Sequence, residues 1–269
     1  DYLGEDKAKL EIWNYKDGLL HTQQNVNLKR EKERSYGAIY NIEKNKFIAL
    51  ADENIPETDF YPSFESNYYL THSNLQYQKN ITWEGYAERD IFLTDLKSGE
   101  KNKIAEGIHG RPRMSPSEKY VYWYSRVDTS WVTYNIKTKK LQAITKGSFY
   151  DELNDRPMHP YPSGDMAWTK NDEYILLYDF YDIWKIEPQS GKKINLTKGR
   201  KKQLKYRYIR IDREIRSLPS DTTVLVKIFD DKDKTSGYGK LDIKYGGVKQ
   251  IEKGPYNYTT RVIKAEKSD

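Results

Sequence analysis

Asp151, Glu152 and Asp155 stand among rings and prolines in FYDELNDRPMHPYPSGDMAW, residues 149–168. Carboxylates beside aromatic faces are the residue types that receive a peptide's terminal ammonium or a cationic side chain. The stretch is long for a connection between strands, and long loops in compact folds are often functional. Its structural alternative is a Pro-stiffened linker that covers one face of a sheet.

Other chemistries find little support. Nucleophilic catalysis on a strand–turn–helix elbow needs G-x-S-x-G with a histidine and an acid nearby, and no such elbow occurs. The histidines, His21, His72, His109 and His159, form no H-E-x-x-H or H-x-H pair, and without cysteine no thiolate metal site is available. No Walker loop is present, and GYGKLD at 237 reads as a hairpin start, so no cofactor is expected. The basic run GRKKQLKYRYIRID (199–212) has the composition of a nucleic-acid patch. Its alternation of Leu204, Tyr206 and Tyr208 with Lys205, Arg207 and Ile209 fits a half-solvated strand better, and no nucleic-acid partner is expected.

The elements that must carry these residues repeat. MSPSEKYVYWYS (114–125) and WTKNDEYILLYD (168–179) each put a tyrosine behind a polar turn and ahead of a β-branched or aromatic run. YPSFESNYYLTHS (61–73) and LPSDTTVLVKI (218–228) share the grammar, so the slot falls at Tyr68, Tyr120, Tyr174 and Thr223, with intervals of 52, 54 and 49 residues. A second pattern lies out of phase with the first: RDIFLTDLKSGEKNKIAEG (89–107), SWVTYNIKTKKLQAITKG (130–147), DIWKIEPQSGKKINLTKG (182–199), GYGKLDIKYGGVKQIEKG (237–254) and, near the start, YGAIYNIEKNKFIALAD (36–52). Each is an alternating strand, a polar turn such as Ser98-Gly99, Ser190-Gly191 or Gly246-Gly247, and a second strand closing on glycine or an acid.

Strand, turn, strand, loop, strand, hairpin, strand at about 50 residues is the grammar of a β-propeller blade. The expected fold is therefore all-β, a partial propeller of about four to five blades of four antiparallel strands in one domain over 1–269. The repeats fall at 1–52 (partial), 58–107, 111–147, 165–199 and 206–254, with 255–269 opening a further blade. The slot marks the second strand of each blade, with Tyr120 and Tyr174 equivalent and buried. A β-sandwich with coincidental spacing is the alternative architecture. Both ends cut into a repeat and the chain begins at Asp1 without Met, which reads as a piece of something longer. An arc with unpaired edges would favour self-association.

Composition agrees with many short, half-exposed strands. Of 269 residues, 36% are hydrophobic and 32% charged, a balance that a disordered chain could share, but 24 Tyr, 7 Phe and 6 Trp supply packing that disordered segments lack. The net charge of +6 is a small excess of cations. No apolar run is long enough for a membrane helix.

Several segments resemble the prolyl oligopeptidase-like and dipeptidyl-aminopeptidase-like serine peptidases of Bacteroides-type bacteria. They are LEIWNYKDGLLHTQQ (10–24), SPSEKYVYWYS, INLTKGRKKQLKYRYIRID and, most specifically, FYDELNDRPMHPYPSGDMAWTKNDEYILLYDFYDIWKIEP. The resemblance covers nearly the whole chain. The Ser-Pro-Ser-Glu-Lys turn is shared by propellers generally, including those of the TolB type. The resemblance implies a non-catalytic propeller that gates and helps bind peptides for an α/β-hydrolase domain, which this sequence lacks; no catalytic residue carries over. It also implies a periplasmic or secreted location. The competing expectation is a stand-alone, TolB-like propeller serving as a protein-interaction platform.

Overall fold

The computed structural model describes residues 12–58 and 66–263. The turn ahead of Tyr68 (61–65), the first residues of the 10–24 segment and the last six of the 255–269 segment lie outside the described residues. The chain divides into two compact units, Asp1–His109 and Gly110–Asp269.

In the first unit, a helix α1 (His21–Lys32) precedes a hairpin of β1 (Ala38–Asn41) and β2 (Lys46–Ala49). The helix buries no residue. It is held locally: the Gln23 side chain accepts the Leu20 N–H at 3.1 Å, and Lys29, Arg30 and Lys32 meet the negative end of its dipole. The strands β3 (Glu57–Thr58), β4 (Tyr68–Ser73), β5 (Arg89–Asp95) and β6 (Lys101–Ile108) then form an antiparallel meander. A helical excursion at Leu75–Asn80, continued by α2 (Ile81–Glu84), joins β4 to β5.

The second unit holds three more sheets. The strands β7 (Arg113–Met114), β8 (Tyr120–Ser125), β9 (Ser130–Asn135) and β10 (Lys140–Ala143) make one. The next comprises β11 (Asp165–Thr169), β12 (Ile175–Tyr178), β13 (Ile183–Ile186) and β14 (Lys193–Asn195). The last contains β15 (Leu204–Tyr208), β17 (Thr223–Asp230), β18 (Ser236–Asp242) and β19 (Val248–Gly254). Between β15 and β17 the chain leaves its own sheet, and β16 (Ser217–Leu218) pairs in parallel with β11 of the sheet before it. Four-stranded antiparallel meanders recurring in this way are the blades of a β-propeller.

The slot residues stand where the repeat places them. Tyr68, Tyr120 and Thr223 open β4, β8 and β17, and Tyr174 immediately precedes β12. Tyr120 and Tyr174 are equivalent in atomic detail. The Ser115 hydroxyl accepts the Tyr120 N–H at 3.0 Å, and the Thr169 hydroxyl accepts the Tyr174 N–H at 2.9 Å. Their burial differs from expectation: Tyr120 is buried, whereas Tyr174 is half-buried, its ring facing the Lys185 ammonium at 5.3 Å.

The closing glycines also have a physical reason. Asp90, at the start of β5, accepts the Gly107 N–H at 3.1 Å, and Asp182, beside β13, accepts the Gly199 N–H. Each buried carboxylate thus fastens the end of its outer strand to the start of the strand before it.

Core packing in the second unit follows the period of two. On β12, Ile175 and Leu177 join Tyr120, Tyr122, Trp131 and Trp168 of one apolar cluster. Leu176 and Tyr178, on the opposite face, join Val226, Ile228 and Leu241 of the other. An uninterrupted apolar run results because both faces are covered. Hairpin turns complete the contacts between blades. Gly191 (φ +73°) lies against the backbone of Ile144, and Gly246 (φ +77°) against that of Leu196; an added Cβ would stand 3.2 Å from the carbonyl oxygen in either case. The buried Lys185 ammonium donates to the Ile243 and Lys244 carbonyls of the next blade, each at 2.9 Å.

Residues 255–263 form no strand. Part of this segment folds back onto β18, where Ser236 Oγ donates to the Tyr256 carbonyl at 2.7 Å and the Tyr238 hydroxyl donates to the Thr259 carbonyl at 2.6 Å.

Candidate functional site

The segment 149–164 is a hairpin held by its own backbone. Asp151 N–H donates to the Tyr161 carbonyl at 2.8 Å, Ser163 N–H to that of Phe149 at 3.0 Å, and Ser163 Oγ to that of Tyr150 at 2.7 Å. At the tip, the Asn154 amide donates to the carbonyls of Arg156 and Met158. From beneath, the buried Arg126 donates to the His159 carbonyl at 2.6 Å, with its guanidinium 4.2 Å from the centre of the Tyr161 ring. Prolines and this bracing give the long loop one shape.

The three predicted acids are all on this hairpin and are not equivalent. The Glu152 carboxylate is taken by Arg200 through two bonds of 2.6 and 3.0 Å. Asp151 accepts the Leu153 N–H at 3.1 Å and is exposed, as is Asp155. Arg200 also reaches the buried Asp179 at 3.3 Å, so the hairpin is tied to the start of the following blade. Two further cations of the 199–212 run, Lys205 and Arg207, are engaged within the protein as well. Lys205 lies 3.7 Å from the Phe180 ring centre and 3.3 Å from Asp231, and Arg207 donates to the Phe180 carbonyl at 3.0 Å.

A second feature was not read from the sequence. The first strands β7 and β11 place Arg113 and Asp165 side by side, joined at 2.6 Å. Asp165 also accepts the Tyr122 hydroxyl at 3.2 Å, and the Arg113 guanidinium lies 5.1 Å from the Tyr122 ring centre. Burial and the Asp165 charge push the Tyr122 phenol up, which keeps it a proton donor at neutral pH. These residues form one wall of a pocket of about 200 Å³, and Tyr208, Arg210, Ile215 and Arg216 form another. The signal was invisible because residues from 113, 165 and 210–216 meet only through the excursion that carries β16 back to β11.

Of the histidines, His109 Nε2 is 3.0 Å from Glu88, with Tyr86 edge-on at 4.7 Å between ring centres, and His72 Nε2 is 3.3 Å from Arg89. Among the described residues no group of three His, Cys, Asp or Glu side chains is arranged to hold a metal, and no helix is long and apolar enough to cross a membrane.

No family model matches the chain, and no curated protein is similar to it. Among solved structures it is similar to a Bacteroides ovatus protein assigned as a dipeptidyl aminopeptidase IV, at 12% identity and a TM-score of 0.46, over 80% of this chain and 40% of that one. It is similar also to TolB from Acinetobacter baumannii, at 11% identity and a TM-score of 0.39, over 80% of this chain and 54% of that one. With the acylaminoacyl peptidase of Pyrococcus horikoshii it shares 12% identity and a TM-score of 0.40, over 72% of this chain and 32% of that one. In each of these three pairs the matched region spans less than two thirds of the other protein, and the likeness is one of fold alone.

Proposed function

We propose that this propeller binds peptides on behalf of a prolyl oligopeptidase-like serine peptidase of the Bacteroides type, working in the periplasm or outside the cell. The braced 149–164 hairpin carries the reading. It lies in the stretch most specific to that resemblance, and it presents Asp151 and Asp155 to solvent on a rigid support. In this role the two carboxylates receive the amino terminus or a cationic side chain of the peptide, while Glu152 is spent on Arg200 and holds the loop in place. Tyr161, stacked on Arg126, offers a ring beside them. The nucleophile and its base come from an α/β-hydrolase domain, for which the propeller limits access to large substrates.

The test is kinetic. The full reading frame is expressed and assayed on X-Pro chromogenic peptides with a free amino terminus. Asp151→Asn and Asp155→Asn should raise KM and leave kcat within about twofold, the pattern of lost uniform binding. A reading frame that encodes no nucleophile would overturn the peptidase assignment in favour of an interaction platform.

A further inference from the structure

The pocket between β7, β11 and the 209–216 excursion has more cationic groups than its own acid can use. Arg113, Arg210 and Arg216 line it, against the single carboxylate of Asp165. Asp165 is already shared by Arg113 and the Tyr122 hydroxyl. Arg210 is fixed by backbone carbonyls: its Nη2 donates to Arg213 and Ile215, each at 2.7 Å, and its Nε to Asp212 at 3.2 Å. Those bonds orient the guanidinium without neutralising it. Arg216 has neither an ion pair nor a hydrogen bond among the described residues.

Trp168, 3% exposed, lines the same wall with its ring edge-on to that of Tyr122, 5.2 Å between centres. The unspent polar groups are therefore the guanidinium groups of Arg210 and Arg216, which are the complement of an anion. Met114, Met166 and Leu218 supply apolar wall around them.

Size narrows the ligand. A pocket of about 200 Å³ suits a group the size of one amino-acid residue rather than an extended ligand. We propose that this pocket takes the C-terminal residue of a peptide, with Arg210 and Arg216 as partners of its carboxylate and the methionines and Leu218 against its side chain. The proposal rests on the peptide-binding reading for the identity of the ligand. It deepens that reading by adding a second anchor, specific for a free C-terminus, away from the acids of the hairpin.

The experiment is calorimetric titration of this chain with N-acetyl-Ala-Leu as the free acid and as the C-terminal amide. Acetylation removes the ammonium that Asp151 and Asp155 would hold, so only the proposed anchor is read. The acid should bind at least tenfold more tightly than the amide, and more weakly as salt rises. Arg216→Gln should weaken the acid about tenfold and leave the amide unchanged. Arg213→Gln, the same charge change at an exposed residue of the excursion outside the pocket lining, should alter neither. Equal binding of acid and amide, no binding of either at millimolar concentration, or equal effects of the two substitutions would overturn the proposal. Hydrolysis of X-Pro peptides by the full-length enzyme is a separate measurement, so this anchor and the peptidase reading can fail independently.

Discussion

The hydroxyl of Ser115 donates a 2.6 Å hydrogen bond to the carboxylate of Asp172, across the boundary between two successive blades. The same hydroxyl accepts the Tyr120 N–H, and the same carboxylate accepts the N–H groups of Ser117 at 3.0 Å and Lys119 at 3.2 Å. One buried acid thus organises the turn of its neighbour, where a hydrogen bond to a charged group is worth about 1.5–3 kcal/mol. Asp172→Ala should cost about 3 kcal/mol and Ser115→Ala about 1–2 kcal/mol. A double-mutant cycle by urea unfolding should show coupling above about 0.5 kcal/mol; strict additivity would mean that the bond does not link the blades.

The hairpin glycines offer a graded test. Gly147 has φ +79° with nothing within 4 Å of an added Cβ, whereas Gly191 and Gly246 combine positive φ with a carbonyl of the preceding blade at 3.2 Å. Gly147→Ala should cost about 1–2 kcal/mol, the strain of a left-handed residue. Gly191→Ala and Gly246→Ala should cost more, because the neighbouring blade must also give way. Equal melting temperatures for all three variants would remove the contact as a source of stability.

Asp90 should tune stability to acid. Burial pushes its carboxyl up, but hydrogen bonds from Lys103, Tyr77 and the Gly107 N–H outweigh that and hold it below the usual carboxylate range. Burial and the Asp90 charge push the Tyr77 phenol up to about 12, so it remains a donor throughout. A carboxyl depressed in the folded state stabilises fully above its unfolded value of about 3.9, and the contribution is lost as pH falls through the folded value. Asp90→Asn should therefore be less stable than the wild type at pH 7, with a shallower loss between pH 5 and 3. Parallel pH profiles of the two proteins in urea unfolding would contradict this.

Substituting aspartate at the two equivalent slots should separate them. Tyr120 is 4% exposed and stacks on Trp168 at 5.7 Å, so Tyr120→Asp leaves a charge among rings and should cost several kcal/mol, about 3–5. Tyr174→Asp stands at the rim near the Lys185 ammonium and should cost less than half as much. Thermal melts of the two variants decide it, and equal losses would show that equivalence in the repeat governs burial.

The strands and hairpins were legible in the sequence because blade structure is local. Tyr120 and Tyr174 announce the same turn through the same bonds, and Gly107 and Gly199 close strands on Asp90 and Asp182. The helix α1 was not legible, since HTQQNVNLKREK has no apolar stripe to set a period. Nor was β16, two residues long and recruited by another sheet. For the same reason the 149–164 hairpin could be singled out from its composition, while the arginine pocket could not. Its residues converge only after the excursion at 209–216 has returned the chain to β11.

Because the two faces of β12 serve different apolar clusters, neither adjoining blade can come apart without exposing half of that strand. Repeat proteins often melt piecemeal, each module contacting only its neighbours. Here Leu176 and Leu177 act as a shared fastener, and their amides should exchange with solvent only when the whole 110–269 unit opens. A strand of four residues should thereby make the unit unfold as a whole. Damage at either cluster is felt at the other, and a loop or pocket mounted on this unit inherits the rigidity of the whole rather than of its own blade.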